Sequence, residues 1–503
     1  MYRFLADPHT HKLSEPVERV DTANAVVFLA GADVYKLKRS VKFPFMDLST
    51  LEKRRDACEA EIAVNRPLAP AIYLGSLPIV RRRESFAIGG DGEIVEWAVH
   101  MRRFDENATL DHVADREAVS DALVDKLALV IRRMHARAPL RDAARAVHAL
   151  ETYIEQNRAA FAERSDLFDP TTARKLTDDS RLAFATVRPV LLERGEAGFV
   201  RRCHGDLHLR NIVLLDGEPT LFDAVEFSDE IASGDILYDL AFLLMDLEER
   251  GLRAAANRLF NRYLGSEPSE VLTGLAALPL FLSLRAAIRA KVEAADAERL
   301  EGEKRGEALA LARRYFDHAV RFLAYVPPRL VAVGGLSGVG KSALAGALAP
   351  EIGRPPGALW LRSDVERKAM FGIEETVPLP ASAYTSDVTR DVYERLVIKA
   401  RTALRAGQSV LLDATFGAAA ERSAAASVAA EAGVAFVGLF LDAPLATRLE
   451  RIGSRSGDAS DADADVARRQ TAEPLAEQGW AAVAASGSLS DTTALARAHL
   501  YGD

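Results

Sequence analysis

The run His204-Gly205-Asp206-Leu207-His208-Leu209-Arg210-Asn211 places a carboxylate and an amide five residues apart in a single loop. A carboxylate there can orient an acceptor hydroxyl and take its proton, and an amide at Asn211 can hold a divalent cation. Twelve residues beyond Asn211, the apolar pair Leu221-Phe222 ends in Asp223, where a second metal-holding carboxylate belongs. The H-x-D-L-x-x-x-N spacing is that of a kinase catalytic loop. A second cluster, Gly335-Leu336-Ser337-Gly338-Val339-Gly340-Lys341-Ser342, fits G-x-x-x-x-G-K-[ST]. It follows the apolar run 330–333 and opens a helical stretch over 342–348. Its glycines, Gly335, Gly338 and Gly340, let backbone N–H groups close around phosphates, and the helix N-terminus adds a favourable dipole. Lys341 then reaches the terminal phosphates and Ser342 ligates Mg²⁺. Both clusters call for the same chemistry, movement of a phosphoryl group from ATP with Mg²⁺ as the cofactor.

Further residues complete each cluster. Val34-Tyr35-Lys36-Leu37-Lys38 offers two lysines on one face of a strand, because strand side chains alternate. Lys36 is preferred, since it follows the apolar pair most directly. A glutamate on the next helix should pair with it, and Glu61 is preferred to Glu59. In the C-terminal part, Ser409-Val410-Leu411-Leu412 ends in Asp413, as a Walker B carboxylate should. Asp364 and Arg367 lie one helical turn apart after a strand and can face one cleft. Arg448, Arg451 and Arg455 recur at helical spacing before Asp458-Ala459-Ser460-Asp461. Arginines there can neutralise charge on a transferring phosphoryl group, although such a run taken alone is more often a solvated helix face.

The elements that must position these residues can be read from composition and period. Residues 25–30, 34–37 and 94–101 are rich in β-branched and aromatic side chains, and Gly31-Ala32-Asp33 supplies a turn. Ser49 or Thr50 caps a helix running to about Arg66, which Pro67 helps to end. Residues 117 to 325 read as mostly helical, with apolar residues near helical spacing over 123–135 and a strand-rich island at 200–227. In this pattern His135 is a packed helix residue. Tyr325-Val326-Pro327-Pro328-Arg329 reads as a linker. After it, strands at 330–333, 359–361, 409–412 and 437–441 alternate with helices, which predicts a parallel sheet. The Ala-rich stretch 417–435 is expected to be helix.

The N-terminal features together resemble the aminoglycoside phosphotransferase family, and in particular a bacterial group in which that domain is fused to a P-loop ATPase. The stretches that carry the resemblance are VVFLAGADVYKLKRSVKFPFMDLSTLEKRRDACEAEIAVNRPLAPAIYLG, HGDLHLRN, LFDAVEF and DILYDLAFLLMDL, spanning about 20–320. The resemblance implies a small β-rich lobe, a helical lobe and ATP between them, with Met101 and Arg102 near the hinge that receives adenine. It also favours Glu61, which lies seven residues before Leu68 as in related chains. It gives Asp235 and Asp239 a structural role in fixing the catalytic loop. The C-terminal features, over about 329–500, look like the polynucleotide-kinase-like and gluconate-kinase-like branch of P-loop kinases. By that similarity Asp364 is the base that activates the acceptor hydroxyl, Arg367 holds the acceptor, and Arg451 or Arg455 comes from a lid.

The expected architecture is therefore multidomain: a bilobal, protein-kinase-like α+β domain over 1–325 and an α/β P-loop domain over 328–503. Each segment is long enough for its own core. Of 503 residues 49% are hydrophobic and 27% charged, as in a globular chain. The net charge of -9 argues against a general nucleic-acid or membrane-surface binder. The two cysteines, Cys58 and Cys203, have no metal-ligand spacing and fit a reduced, cytoplasmic protein. No apolar run suggests a signal core or a membrane span. The expected function is ATP-dependent phosphotransfer to hydroxyl groups of small molecules at two sites. The alternatives are a nucleic-acid 5'-end kinase with an accessory N-terminal domain, and a nucleotide-binding regulator with one inactive domain. The acceptors and the oligomeric state are not legible in the sequence.

Overall fold

The computed structural model describes residues 1–22, 24–43, 46–83, 85–116, 118–454 and 459–502, apart from the Phe43 side chain. Arg455 and Asp458, both singled out in the sequence, lie outside the described residues. The chain divides into two compact units, Met1–Ala149 with Gly195–Leu243, and Leu150–Arg194 with Leu244–Asp503.

The first unit is built on a six-stranded antiparallel sheet. Its strands, in spatial order, are Glu18–Asp21, Ala25–Ala30, Asp33–Lys38, Glu93–Arg102, Tyr73–Arg82 and Ser85–Ile88. Lys36 lies opposite Val27 on one side and Val99 on the other, so the lysine strand sits inside the sheet. The helix Leu51–Asn65 starts where Thr50 Oγ1 accepts a hydrogen bond from the Lys53 N–H at 3.3 Å. It packs on the sheet through Cys58, in one cluster with Leu29, Val34, Tyr73, Val99 and Met101. Met101 is thus a core residue at the end of its strand. The helix Asp121–Arg137 is capped by Ser120 and buries Val124, Leu127, Ala128, Ile131 and His135, the face its apolar period predicts. Two short ribbons, Ile212–Leu215 with Glu218–Leu221 and Val200–Arg202 with Ser233–Asp235, frame the loop that follows residue 203.

The second unit contains a five-stranded parallel sheet in the order Leu359–Arg362, Val410–Asp413, Arg329–Gly334, Ala435–Asp442 and Trp480–Ala484. The central strand is buried along nearly its whole length, as expected for a sheet covered on both faces. Val333 lies opposite Asp413, which brings the carboxyl ends of the two strands to the glycine loop. The helices Arg253–Leu264, Leu278–Asp296 and Gly302–Leu323 belong to this same unit. The division between units therefore does not fall at Pro327-Pro328. The reason is visible in the helix Arg253–Leu264, whose Asn257 and Asn261 side chains bond to the backbone of the sheet's edge at Ala358 and Trp360. Among the described residues no single helix is long and apolar enough to cross a membrane.

Candidate active sites

In the first unit, the loop after residue 203 is fixed from below by one carboxylate. Asp239 Oδ1 accepts from the Gly205 N–H at 2.8 Å, and its Oδ2 accepts from the His204 N–H at 3.3 Å. His135 Nε2 lies 3.1 Å from the same Oδ2, so this buried histidine positions the loop's anchor. Gly205 has a φ of 84°, and a Cβ there would meet Val225 and Ala232 at 3.1 Å, so the turn needs glycine. Asp235 caps its own turn, accepting from the Leu237 N–H at 2.9 Å. Asp239 thus holds the loop, the role the resemblance implied for it, whereas the Asp235 bond lies at the start of the helix that carries Asp239.

Asp206 accepts from Asn211 Nδ2 at 2.9 Å, and Asn211 also bonds the Asp206 carbonyl at 3.0 Å. With its NH₂ so engaged, Asn211 offers its amide oxygen to a cation. Asp223 follows the strand Glu218–Leu221 with a φ of 56°, uncommon for a non-glycine residue. Its N–H donates to the Tyr73 hydroxyl at 3.1 Å. Lys36 Nζ lies 2.9 Å from Glu61 Oε1 and 3.0 Å from Asp223 Oδ1, uniting three residues separated by up to 187 positions. Burial works against the Lys36 ammonium, but Asp223 and Glu61 outweigh it and hold its pKa well above the ordinary lysine value.

Sequence reasoning missed three participants here. His208 Nε2 stands 3.3 Å from Asp206 Oδ2. Buried Asn65 bonds both the Ala224 N–H (2.7 Å) and the Ala224 carbonyl (3.1 Å), tying the glutamate helix to the turn at Asp223. Lys38, set aside in favour of Lys36, is more deeply buried than Lys36 and contacts Glu61 and Glu226. His208 stood within the quoted loop, whereas nothing in the spacing of Asn65 or Glu226 points to the site.

In the second unit, the loop 335–342 has positive φ at Gly335, Gly338 and Gly340. A Cβ on Gly338 would stand 2.4 Å from the Arg448 carbonyl, so this approach also requires glycine. Ser342 Oγ donates to Asp413 Oδ2 at 2.8 Å, the Walker A and Walker B partners already in contact. Burial raises the Asp413 pKa, opposed by Arg362 and Lys341. Arg362, not foreseen, lies 3.7 Å from Asp413 and donates to Ser342 Oγ at 3.4 Å. Lys341 Nζ donates to the Leu336 carbonyl at 3.4 Å, inside the loop it closes.

The arginine helix, Leu445–Ser454, is not a solvated face. Arg448 is buried and donates to the Ser337 carbonyl at 3.4 Å. Arg451 Nη1 donates to the Val339 carbonyl at 2.9 Å, which sets its guanidinium on the glycine loop itself. Gln470 completes the clamp, its Oε1 accepting from the Ser337 N–H at 2.8 Å.

Asp364 and Arg367 lie on the helix Ser363–Met370, directly after the edge strand. Buried Arg367 donates to the Ala383 carbonyl at 2.7 Å and to Thr389 Oγ1 at 3.3 Å, and stacks over the Tyr384 ring at 5.0 Å. Its Nε has no hydrogen-bond partner among the described residues. Thr389 also lines a cavity of about 590 Å³, with Tyr393, Leu396, Leu412, Phe416 and Ala420 among its walls.

Comparison with known proteins matches two families along the chain, and the first match runs across both units. The phosphotransferase enzyme family model matches residues 31–278, and an AAA domain model matches residues 330–475. Uncharacterized proteins of Mycobacterium bovis and Mycobacterium tuberculosis are each 32% identical over 454 residues, covering 89% of this chain and 88% of theirs. Among solved structures, a choline/ethanolamine kinase family protein from Mesorhizobium loti covers 64% of this chain and 97% of its own, at 14% identity and a TM-score of 0.37. A gluconokinase from Sinorhizobium meliloti covers 34% of this chain and 91% of its own, at 21% identity and a TM-score of 0.26.

Proposed function

The chain belongs to the family of these mycobacterial proteins, with an N-terminal phosphotransferase enzyme family domain and a C-terminal AAA-type P-loop domain, and from that premise we propose that it carries two ATP-dependent phosphotransferase sites acting on hydroxyl groups of small molecules. The observation that carries the reading is the junction of Lys36 with Glu61 and Asp223. A lysine held between a helix glutamate and a metal-type aspartate is what phosphate positioning requires.

At the first site Asp206 orients the acceptor hydroxyl and takes its proton, Lys36 holds phosphate oxygens, and Met101 stands one residue before the end of the strand that leads to the adenine hinge. Asn211 and Asp223 are the residues that fit Mg²⁺, an amide oxygen and a carboxylate being the hard ligands it prefers. Bound there, Mg²⁺ supplies positive charge against the phosphate oxygens. At the second site the Gly335, Gly338 and Gly340 loop and Lys341 cradle phosphates, and Ser342 with Asp413 fit the cation. Asp364 serves as base, Arg367 meets the acceptor, and Arg451 stands at the phosphate loop.

The largely apolar cavity beside Thr389 supports a compact acceptor with an apolar portion at the second site. Together with a net charge of -9, it disfavours a polynucleotide end, whose binding rests on many cationic phosphate contacts. Cys58 and Cys203 are both buried and form no disulfide with each other, which supports a reducing, cytoplasmic location.

The test is ATP consumption by the full chain against sugars, aminoglycosides, nucleosides and DNA ends, with Asp206→Asn and Lys341→Ala separating the sites. Acceptor-dependent turnover that each variant removes for a different acceptor is the expected result. Excess EDTA should abolish both activities. Turnover surviving in both single variants, or in EDTA, would refute the two-site reading.

A further inference from the structure

A second cavity lies wholly within the first unit, beside the turn that carries Asp223. Its volume is about 510 Å³, within the range of small-molecule sites. Cys203, Leu221 and Ala224 are its most buried lining residues. Val64 from the helix Leu51–Asn65, and Val130 and Met134 from the helix Asp121–Arg137, add apolar wall.

The charge around this cavity has one sign. Its described lining includes Arg133, Arg137 and Arg202 and no acidic residue. Arg202 is fixed from outside the cavity. Its Nε donates to Asp229 Oδ1 at 3.0 Å and its Nη2 to the Val225 carbonyl at 2.8 Å. The guanidinium groups of Arg133 and Arg137 have no hydrogen-bond or ion-pair partner among the described residues. The two lie four apart on one helix and so share a face, where like charges repel. A helix dipole favours a cation in the last turn, which accounts for Arg137 taken alone. It does not account for a second arginine one turn earlier, with a third nearby, around an apolar cavity that offers no carboxylate.

We infer that this cavity binds a small molecule with an oxyanion head, carboxylate or phosphate, on an apolar body. The planar donors of arginine match either head bidentately. The head sits between Arg133 and Arg137, where it relieves their repulsion, and Arg202 is a third, preset cation. The apolar body takes the space among Val64, Val130, Met134 and Leu221. Lys36, Asp206, Asn211 and Asp223 are not among the lining residues, so the cavity is neither the phosphate face nor the acceptor face of the first site. It does share the frame of that site. Ala224 follows Asp223, and Asn65 joins it to the helix of Glu61 through bonds at 2.7 and 3.1 Å. A ligand seated here lies against the tie between the glutamate helix and the aspartate turn.

The test is calorimetric titration of the full chain with octanoate and with octyl phosphate, beside octanol and inorganic phosphate as the body and the head alone. Saturable binding of at least one amphiphile is expected, and which of the two binds identifies the head. Its affinity should exceed that of octanol by about tenfold or more, the worth of a hydrogen bond to a charged group. Arg133→Gln with Arg137→Gln, both at exposed positions, should weaken this binding by about the same factor, with the circular dichroism spectrum and Mg·ATP affinity unchanged. Met134→Trp should remove it with the arginines intact, by filling the cavity. An amphiphile held instead at the phosphate loop would bind the arginine variant as it binds the wild type. Binding of neither amphiphile, equal affinity for octanol, or affinity that either variant leaves unmoved would overturn the inference. So would inorganic phosphate that binds as tightly as the amphiphile and depends equally on the arginine pair, since the apolar body would then count for nothing.

Discussion

Asp206 is oriented before any acceptor arrives, by the Asn211 amide at 2.9 Å and His208 Nε2 at 3.3 Å. Replacing it with asparagine keeps size and polarity but removes the proton acceptor. Asp206→Asn should therefore lower acceptor phosphorylation at the first site by about 10²–10⁴, with ATP binding retained; steady-state rates beside calorimetry check both halves. Glu61 makes a second prediction, about pH. Its folded pKa, about 2, lies below the ordinary 4.5, so its ion pairs stabilise the fold fully above pH 4.5 and less as pH falls toward 2. The melting temperature of Glu61→Gln should accordingly depend less on pH over that acidic window than that of wild type. The candidate residues Asp206, Asn211, Lys341 and Ser342 were legible because they sit at short fixed spacings. The pairing of Lys38 with Glu226 was not legible, because it arises only when a strand and a turn 188 positions apart converge.

At the level of elements, one carboxylate ties the segment between the helices Ser363–Met370 and Ser386–Arg405 to the first of them. Asp461 accepts from Lys368 Nζ at 2.8 Å, the Leu379 N–H at 2.9 Å and the Tyr384 hydroxyl at 2.5 Å. Lys368 is 1% exposed, so the pair is a buried tie rather than a surface contact. Asp461→Ala should free residues 377–384, and with them the Ala383 carbonyl that fixes Arg367. The expected outcome is faster amide hydrogen exchange over 377–384 and a loss of second-site turnover on the order of tenfold to a hundredfold, with ATP binding kept. Unchanged exchange there would show that the tie is not what orders the segment. Strong periods made most elements readable, including the helix Asp121–Arg137 and the strand Ala25–Ala30. The strands Tyr73–Arg82 and Trp480–Ala484 escaped for opposite reasons. The first carries Pro78 and ends in exposed arginines, and the second is rich in alanine, a helix former. Trp480–Ala484 is made a strand by parallel pairing with residues 438–442, a tertiary override of local preference.

For the whole molecule, the proposed boundary at Pro327-Pro328 is a boundary of sequence similarity, and its energetic standing is decided at the edge strand Leu359–Arg362. An open edge exposes unpaired N–H and carbonyl groups. Here the Trp360 N–H donates to Asn261 Oδ1 at 2.7 Å, and the Ala358 carbonyl accepts from Nδ2 of both Asn257 and Asn261 at 3.1 Å. The two asparagines, 3% and 8% exposed, stand in for a sixth strand. Around them Arg354 Nη2 donates to the Leu275 carbonyl at 3.0 Å, and Arg262 pairs with Glu375. All these partners lie on opposite sides of the proline linker in sequence and within one compact unit. Asn261→Ala should thus cost the second unit about 1–3 kcal/mol, the cost of leaving a buried backbone donor unmet. A 328–503 fragment loses the whole cover at once. It should still bind ATP where folded, since every phosphate-loop partner is retained, yet unfold at a lower denaturant concentration than the same unit in the full chain. Denaturant titration followed by the tryptophans, with ATP titration of both proteins, measures this. Coincident midpoints for fragment and full chain would mean that the asparagine cover contributes no stability and that residues 328–503 form an independent domain after all.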